Sequence, residues 1–373
     1  MKALFVYEYG RGSETMFDEL LEALEERRPE MVTRVFHGLN KEYVPGGLRP
    51  ARILSMVYMY LFLPVVVIWE RPSVIFVRSS PPCIQLWAQL TGSLVGSKVG
   101  TWLMDYHPEI ECRALNKIKG FRSLGWLVRF IDRKLMSYMD FVVVLDGAMR
   151  NLVSSRCPEL EIIEHPTWGQ KDQMKYVERR GNAGNAGEEF TLVYGGNLGL
   201  SHPLETLFRL VNQLTKEVRV RLVAVGASVS GEKRLRRQFD GCNLKFEFYE
   251  RIPFLSLATL FHERRADIGV VLLGDETAGL VSPSKFSAYL RSGLPILYIG
   301  PMDTSSDLVC ASFGAGISIR NGASDKDLES AAQMLLDRRA LEGLKEKVPV
   351  ASEYFGGKNG KTLAEALEHV WPV

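Results

Sequence analysis

Short apolar segments with the character of buried strands alternate with helical patterns along most of the chain, and this alternation restricts the fold more than any other feature. In the first half, strands are predicted at Lys2–Tyr7, Thr33–His37, Ser73–Val77, Lys98–Leu103 and Asp140–Leu145. In the second half, they are predicted at Phe190–Tyr194, Val218–Val225, Lys245–Phe248, Asp267–Leu272 and Ile296–Ile299. Parallel sheets with right-handed crossovers produce this order of elements. We therefore expect an α/β protein with two Rossmann-like domains that face each other across a cleft.

A segment rich in glycine and asparagine separates the two halves. Residues 178–187 contain almost no large apolar side chain, which is typical of a linker. We predict an N-terminal domain over residues 1–175, a linker over 176–188 and a C-terminal domain over 189–355. The remaining residues, 356–373, are predicted to form a helix that packs back toward the N-terminal domain.

The composition is that of a globular protein and excludes several other classes. The chain has 373 residues, 46% hydrophobic and 24% charged, and its formal charge of +2 is too small to suggest binding of nucleic acid. The five cysteines are scattered without a Cys-x-x-Cys pair, so the sequence predicts neither a zinc site nor a disulfide framework. A reducing cytoplasm fits this pattern. The first apolar run ends at Glu8 and is too short for the core of a signal peptide.

Two turns are candidate anion sites. Pro283 and Ser284 suit the start of a helix, where free backbone N–H groups attract anions. Lys285 stands in the first turn, where a cation disfavours the helix, so a bound anion would explain it; the alternative is a solvated lysine. The second turn, Gly195–Gly199, joins a strand to a helical pattern that starts at Pro203. Such a turn exposes backbone amides to a diphosphate or a sugar, or serves only to connect the two elements.

Together these segments resemble the glycosyltransferases of the GT-B fold, most closely family 4 and its bacterial surface-polysaccharide branch. The resemblance rests on the strand and turn of Tyr194–Gly199, the helix motif Leu204–Leu207 and the helix of Pro283–Pro295. Arg71–Pro82 and Asp105–Glu109 match more loosely. The resemblance implies transfer of a sugar, with retention of configuration, from a nucleoside diphosphate sugar, with UDP expected. It implies no cofactor, and the absence of an Asp-x-Asp cluster predicts independence from metal ions.

The resemblance also assigns residues that bind the donor. These are Gly195, Gly196, Asn197, His202, Ser284 and Lys285 at the diphosphate, and Arg251 at the base. The alternative for Arg251 is a surface turn without a ligand. Gly10 and Gly12, after the first strand, form a possible phosphate loop. In the N-terminal domain, Asp105 and His107 are assigned to substrate contact or proton transfer and Glu109 to their support. The alternative for His107 is a structural histidine before a proline.

The chain departs from the family pattern at four positions. The family's arginine and lysine after the first glycine turn correspond to Asn197 and His202. Its two glutamates correspond to Leu280 and Ala288, with Glu276 only nearby. The charge that faces the phosphates must then come mainly from Lys285. Two alternatives therefore stay open: a non-catalytic scaffold derived from a transferase, and a sugar-nucleotide epimerase of the same fold.

Two stretches of the first half suggest contact with a membrane. Ile53–Trp69 has 17 residues without a charge, at the lower edge of the ~17–25 residues that span a bilayer. A spanning helix, a core helix and a helix at the membrane interface are the alternatives. Asn116–Lys134 alternates basic with apolar and aromatic residues, as helices on anionic lipid surfaces do; a solvated helix is the alternative. We expect peripheral attachment to the inner face of the membrane, with a saccharide or polyprenyl-linked acceptor bound there.

Overall fold

A computed structural model describes residues 1–9, 15–39, 50–116, 122–168, 189–196, 198–199 and 202–371. The predicted linker, Asn197, Gly10 and Gly12 lie outside these residues. The chain forms two compact units. The first comprises residues 1–167, 279–282 and 358–373, and the second comprises residues 168–278 and 283–357.

The first unit contains a parallel sheet of six strands in the order β2-β1-β3-β4-β5-β6. The strands are β1 (Lys2–Tyr7), β2 (Val32–His37), β3 (Val74–Arg78), β4 (Lys98–Trp102), β5 (Phe141–Val144) and β6 (Glu161–Glu164). The helices between them are α1 (Thr15–Arg27), α2 (Pro50–Glu70), α3 (Ile84–Val95), α4 (Glu109–Asn116), α5 (Arg122–Met136) and α6 (Gly147–Arg156).

The strand order decides on which face of this sheet each helix lies. The connection from β1 to β2 runs in one direction across the sheet. The next three connections, from β2 to β3, from β3 to β4 and from β4 to β5, run in the other direction. Because such crossovers are right-handed, α1 covers one face, and α2, α3 and α5 cover the opposite face.

Alternate residues of each strand pack on these two faces. Leu4 and Val6 of β1 belong to the core beneath α2 and α3, with Met59, Leu63 and Val67 of α2. Phe5, between them, points to the other face, where its ring lies 6.0 Å from the ring of Phe17 on α1. Both faces of the sheet are therefore closed by apolar packing, which explains why its central strands are almost entirely apolar.

The second unit contains a parallel sheet of six strands in the order β12-β11-β10-β7-β8-β9. The strands are β7 (Glu189–Gly195), β8 (Arg219–Val225), β9 (Leu244–Tyr249), β10 (Ile268–Leu272), β11 (Ile296–Ile299) and β12 (Gly316–Ile319). The helices are α7 (Glu205–Leu214), α8 (Val229–Gln238), α9 (Phe254–Glu263), α10 (Lys285–Arg291), α11 (Ser305–Ala311), α12 (Asp325–Leu336) and α13 (Arg338–Gly357).

The last helix, α14 (Gly360–Glu368), belongs to the first unit and packs against α1. Gly360 begins it, where a Cβ atom would lie 2.5 Å from the backbone of Glu19, so only glycine permits this approach. Arg27 of α1 binds Glu365 and Glu368 of α14, and Trp371 reaches the ring of Phe5 at 5.9 Å.

The predicted α/β class with two parallel sheets is confirmed, and all ten predicted strands are present. Two strands, β6 and β12, were not predicted, and both lie at the edge of a sheet. Among the described helices, α2 alone is long and apolar enough to cross a membrane. One side of α2 packs on the sheet and the opposite side is exposed, so it is not a fully buried core helix.

Candidate functional site

Those donor residues assigned from the sequence that the structure describes lie at the carboxyl edge of the second sheet. Counted from its first strand, the order of this sheet is 3-2-1-4-5-6, so the connections diverge between β7 and β10. Ligands of open α/β sheets bind at such a switch point, outside the carboxyl ends of the strands. The Gly195–Gly196 turn follows β7 and therefore lies at this point.

Lys285 lies against the end of β7. Its Nζ atom donates a hydrogen bond to Tyr194 Oη at 2.8 Å and stands 3.9 Å from the centre of the Tyr194 ring. Burial lowers the pKa of Lys285 to about 7. A lysine held in this state regains its charge readily when an anion binds beside it, because the anion stabilises the ammonium form. The structure thus brings together the two segments that the sequence singled out.

The backbone amides of Gly195 and Gly196 were expected to face a diphosphate, but in the structure both already donate hydrogen bonds. The Gly195 N–H donates to Tyr289 Oη at 2.6 Å, and the Gly196 N–H donates to the carbonyl of Val225 at 2.8 Å. Both amides therefore already have acceptors, so neither is available to a diphosphate in this arrangement. Gly196 has φ of +94°, a conformation that side chains disfavour. Gly196 makes a sharp turn after β7, and an added Cβ atom there would meet open space.

An arginine not identified from the sequence orders the loop after this turn. Arg234 of α8 donates from Nη1 to the carbonyl of Gly199 at 2.6 Å and from Nη2 to the carbonyl of His202 at 2.9 Å. Nothing in the sequence distinguishes Arg234 from the other basic residues of α8. After Lys285, Arg234 is the second cationic side chain of this site, and it lies against the described part of the loop.

His202 is neutral in this setting. Burial, followed by the charge of Lys285, lowers its pKa to about 4. Its Nδ1 atom lies 3.3 Å from the carbonyl of Gly199, which favours the proton on Nδ1 and leaves Nε2 as an acceptor. A neutral imidazole of this kind suits a hydroxyl group better than a phosphate oxygen.

The loops after β8 and β9 converge on the same point. A Cβ atom on Gly226 would lie 3.7 Å from Cβ of Arg251 and 3.8 Å from Cα of Gly196. The Arg251 side chain is exposed. Ser284 is also exposed, and it directly precedes α10 without making a side-chain capping bond.

The first unit carries a second polar cluster, at the switch point between β1 and β3. Glu8, after β1, is buried and binds Arg52 of α2 through two hydrogen bonds of 2.6 and 3.0 Å. Ser80, after β3, donates a third hydrogen bond to Glu8. Burial raises the pKa of Glu8, but these bonds outweigh it and hold the pKa below its ordinary value. None of the three residues was assigned from the sequence, although all follow strands or open a helix.

His107 is held by a carboxylate four residues later. Its Nδ1 atom lies 2.6 Å from Glu111 Oε1. Burial lowers the pKa of His107, but the hydrogen bond and charge of Glu111 outweigh it and raise the pKa above its ordinary value. Asp105 is solvent-exposed, but the surrounding protein reduces the hydration of its carboxylate. This loss of hydration raises the pKa of Asp105, although the charges of His107 and Arg78 act to lower it.

The support expected from Glu109 comes from Glu111 instead. Glu109 is buried and accepts hydrogen bonds from Arg113 and Arg129 at 3.0 and 3.1 Å, and its carboxylate lies 3.1 Å from Arg156. Burial raises its pKa, but the hydrogen bonds from Arg156 and Arg113 outweigh this effect and hold the pKa below its ordinary value. Glu109 therefore ties α4, α5 and α6 together, and it does not touch His107. The spacing His-x-x-x-Glu, which can bring residues i and i+4 together where the chain enters a helix, was the available signal for Glu111.

Leu280, which occupies the position of the family's first glutamate, has a structural role here. Leu280 is buried in the first unit, and its carbonyl accepts a hydrogen bond from the N–H of Tyr106 at 2.8 Å. The next residue, Val281, pairs with Asp105 as an isolated antiparallel bridge. Within the described ranges, no cluster of three or more His, Cys, Asp or Glu side chains is placed to hold a metal ion.

Neither a protein-family model nor a curated protein sequence matches the chain. Solved structures do match. Anabaena HepE in complex with UDP has a TM-score of 0.63 at 12% identity, over 99% of this chain and 100% of that chain. WaaG, a glycosyltransferase involved in lipopolysaccharide biosynthesis, has a TM-score of 0.61 at 11% identity, over 100% and 99%.

Sucrose-phosphate synthase from Thermosynechococcus elongatus has a TM-score of 0.64 at 13% identity, over 100% of this chain and 98% of that chain. HepE, WaaG and sucrose-phosphate synthase are GT-B glycosyltransferases, and the likeness to each extends over nearly the full length of both chains. The chain therefore has the GT-B fold, as the sequence predicted.

Proposed function

We propose that the protein is a glycosyltransferase that moves a sugar from a nucleoside diphosphate sugar, with UDP as the nucleotide, to a saccharide or polyprenyl-linked acceptor. The observation that carries this proposal is the position of Lys285. It places a buried amine of lowered pKa at the switch point of a Rossmann-ordered sheet, beside a sharp glycine turn. HepE, which shares the fold, was crystallised with UDP and with UDP-glucose, which supports a sugar nucleotide here.

The chemistry follows from where charge develops. The bond between the anomeric carbon and the β-phosphate oxygen breaks, and the acceptor hydroxyl oxygen bonds to the same carbon. The hydroxyl proton passes to the departing diphosphate, so the charges balance. Negative charge grows on that diphosphate in the transition state, where an ammonium group at Lys285 stabilises it. We assign retention of configuration to this step, as in the family that the sequence resembles.

We assign the donor to the second unit and the acceptor to the first. In the first unit, Glu111 holds Nδ1 of His107, so Nε2 is the atom left to bind a substrate hydroxyl. The carboxylates of Asp105 and Glu111 stabilise a proton on this imidazole. Metal independence and surface polysaccharide synthesis belong to the same proposal.

A panel of UDP-, GDP- and dTDP-sugars in a thermal unfolding assay tests the proposal directly. A ligand at about 100 times its dissociation constant adds ~2.7 kcal/mol to the free energy of unfolding. We expect UDP and at least one UDP-sugar to raise the melting temperature. No stabilisation by any nucleotide would refute the assignment of the donor.

Hydrolysis of the donor without acceptor separates an enzyme from a non-catalytic scaffold. We expect slow release of UDP from the stabilising sugar nucleotide, unaffected by a metal chelator. Loss of the activity with chelator would overturn metal independence. Binding without any hydrolysis or transfer would favour the scaffold, for which Ala288 and Leu280 at the family's glutamate positions are the supporting observation.

A further inference from the structure

Three helices on one face of the first sheet share an exposed apolar surface. α3 packs against both α2 and α5, and all three lie on the face opposite to α1. The exposed apolar side chains of α2 are Ile53, Leu54, Val57, Leu61, Phe62, Val65, Ile68 and Trp69. Those of α3 are Trp87, Leu90 and Leu94, and those of α5 are Leu124, Trp126, Leu127, Phe130 and Ile131. We call this set the three-helix surface.

On α2, the exposed and buried side chains form separate stripes. Leu54, Val57, Leu61, Val65 and Ile68 recur at intervals of three and four residues, which keeps them on one side of a helix. The buried residues Ser55, Met59, Leu63 and Val67 recur at intervals of four on the opposite side. The apolar character of α2 thus continues onto the side that no part of the sheet covers.

α3 extends the surface in a way that the sequence analysis did not detect. It contains no charged residue, and Trp87, Leu90 and Leu94 form one exposed stripe at intervals of three and four. Leu94 is 76% exposed and Trp69, at the end of α2, is 84% exposed. Large apolar side chains exposed to this degree on three adjacent helices mark an interaction surface.

Exposed basic residues lie at the margin of the surface. Arg71, directly after α2, is exposed, and so are Arg133 and Lys134 in the last turn of α5. The two acidic residues of the described parts of these helices do not oppose them. Glu70 pairs with Lys2 at 3.1 Å, and Asp132 is buried. An apolar surface with tryptophans and basic residues at its margin matches a bilayer interface with anionic headgroups.

We infer that the three-helix surface docks on an anionic lipid bilayer, with α2 in the plane of the interface. Met59, Leu63 and Val67 of α2 are wholly buried in the core with β1 and β3, so α2 cannot cross the bilayer without leaving the sheet. A second copy of the chain would oppose the basic margin with the same charges. The bilayer is therefore the occupant that the surface fits.

Co-sedimentation with vesicles tests this inference with the full chain. Phosphatidylcholine vesicles that contain phosphatidylglycerol should capture the protein at least about tenfold better than pure phosphatidylcholine vesicles, and salt should reduce the difference. The triple variant Leu61→Gln, Leu94→Gln, Leu127→Gln should lose most of the capture. A matched control, Met334→Gln with Val350→Gln, changes exposed apolar residues on helices of the second unit and should leave capture unchanged.

A single variant, fluorescence quenching and light scattering test the docking of the surface in separate ways. Leu94→Gln alone should reduce capture, and full capture by this variant would remove α3 from the surface. Brominated lipids should quench tryptophan fluorescence in the wild type more than in the triple variant. Light scattering would reveal the competing occupant: a dimer that the triple variant dissociates, without capture by vesicles, would overturn the inference. Retention in cell membranes after alkaline carbonate extraction would also overturn it, because a spanning helix resists that treatment.

Discussion

The two units contain sheets of the same size but place their first strands differently, and their polar clusters differ in charge. In the first unit the first strand lies second from the edge of the sheet, whereas in the second unit it lies third. Both clusters form where the connections diverge. The second unit presents Lys285 and Arg234, while the first balances Arg52, Arg78 and a protonated His107 with Glu8, Asp105 and Glu111.

This difference shows that topology fixes where a site forms and that side chains decide what it binds. A cationic site with a lysine of lowered pKa suits a diphosphate. A balanced cluster around a histidine suits a neutral, hydroxyl-bearing group, since a second anion there would meet three carboxylates. If this division is correct, changes in the two units should affect binding and turnover separately.

Loss of the histidine in the first unit should have the largest effect. His107→Ala should lower turnover at least ~10²-fold, in the range of a lost acid–base or electrostatic contact, with little change in the dissociation constant of the donor. Steady-state kinetics and calorimetry measure the two quantities. His262→Ala, on an exposed position of α9, serves as the control. Unchanged turnover with a normal melting curve would make His107 a structural residue.

Loss of the lysine in the second unit should affect binding instead. Lys285→Ala should weaken UDP by about 1.5–3 kcal/mol, the contribution of a charge-assisted hydrogen bond, and leave uridine nearly unchanged. Lys326→Ala, an exposed lysine of α12, is the matched control. Equal losses for UDP and uridine would show that Lys285 does not face the diphosphate.

The affinity for UDP should fall as the pH rises. Because burial lowers the pKa of Lys285 to about 7, the free protein above this pH must take up a proton to bind a diphosphate with a charged lysine. Between pH 7 and pH 8.5, we expect roughly a tenfold loss of affinity for UDP and a flat profile for uridine. The same flat profile is expected for UDP with Lys285→Ala. A rise in affinity over this range would contradict the assignment.

The smallest effect should come from the residue that holds His107. Glu111→Gln removes a negative charge at 2.6 Å, so the pKa of His107 should fall, as measured by NMR titration without any substrate. Turnover should fall about threefold to tenfold, with its pH profile shifted in the same direction. Glu346→Gln, on an exposed position of α13, should change neither quantity. An unchanged titration would show that the contact with Glu111 does not control His107.

The sequence predicted the central strands because they are long apolar runs, and it missed β6 and β12 because these are not. Glu161–Glu164 carries glutamates at both ends, and Gly316–Ile319 begins with glycine and contains a serine. Edge strands of four residues need neither two apolar faces nor high propensity, since one neighbour and its hydrogen bonds hold them. No local pattern distinguishes such segments from loops.

At the candidate sites, the sequence identified residues that motifs mark and missed residues that only folding brings together. Motifs marked both Lys285 and the glycine turn, and in the structure Lys285 contacts Tyr194, directly before that turn. Arg234 and Arg52 act on loops 35 and 44 residues away in the chain, at Gly199 and Glu8, a relation that no spacing reveals. Glu109 and Glu111 are two residues apart, and only the direction of α4 decides which of them reaches His107.

The division of the chain between the units determines the order in which they can be completed during synthesis. The second unit is contained in residues 168–357, apart from the short insertion at 279–282. The first unit begins with β1 and α1, but Phe5 of β1 and Glu19 of α1 gain their contacts with Trp371 and Gly360 only when α14 and Trp371 arrive. The unit whose first strand leaves the ribosome earliest is therefore completed after the second unit, and the part of the apolar face around Phe5 that α1 leaves open stays uncovered until then.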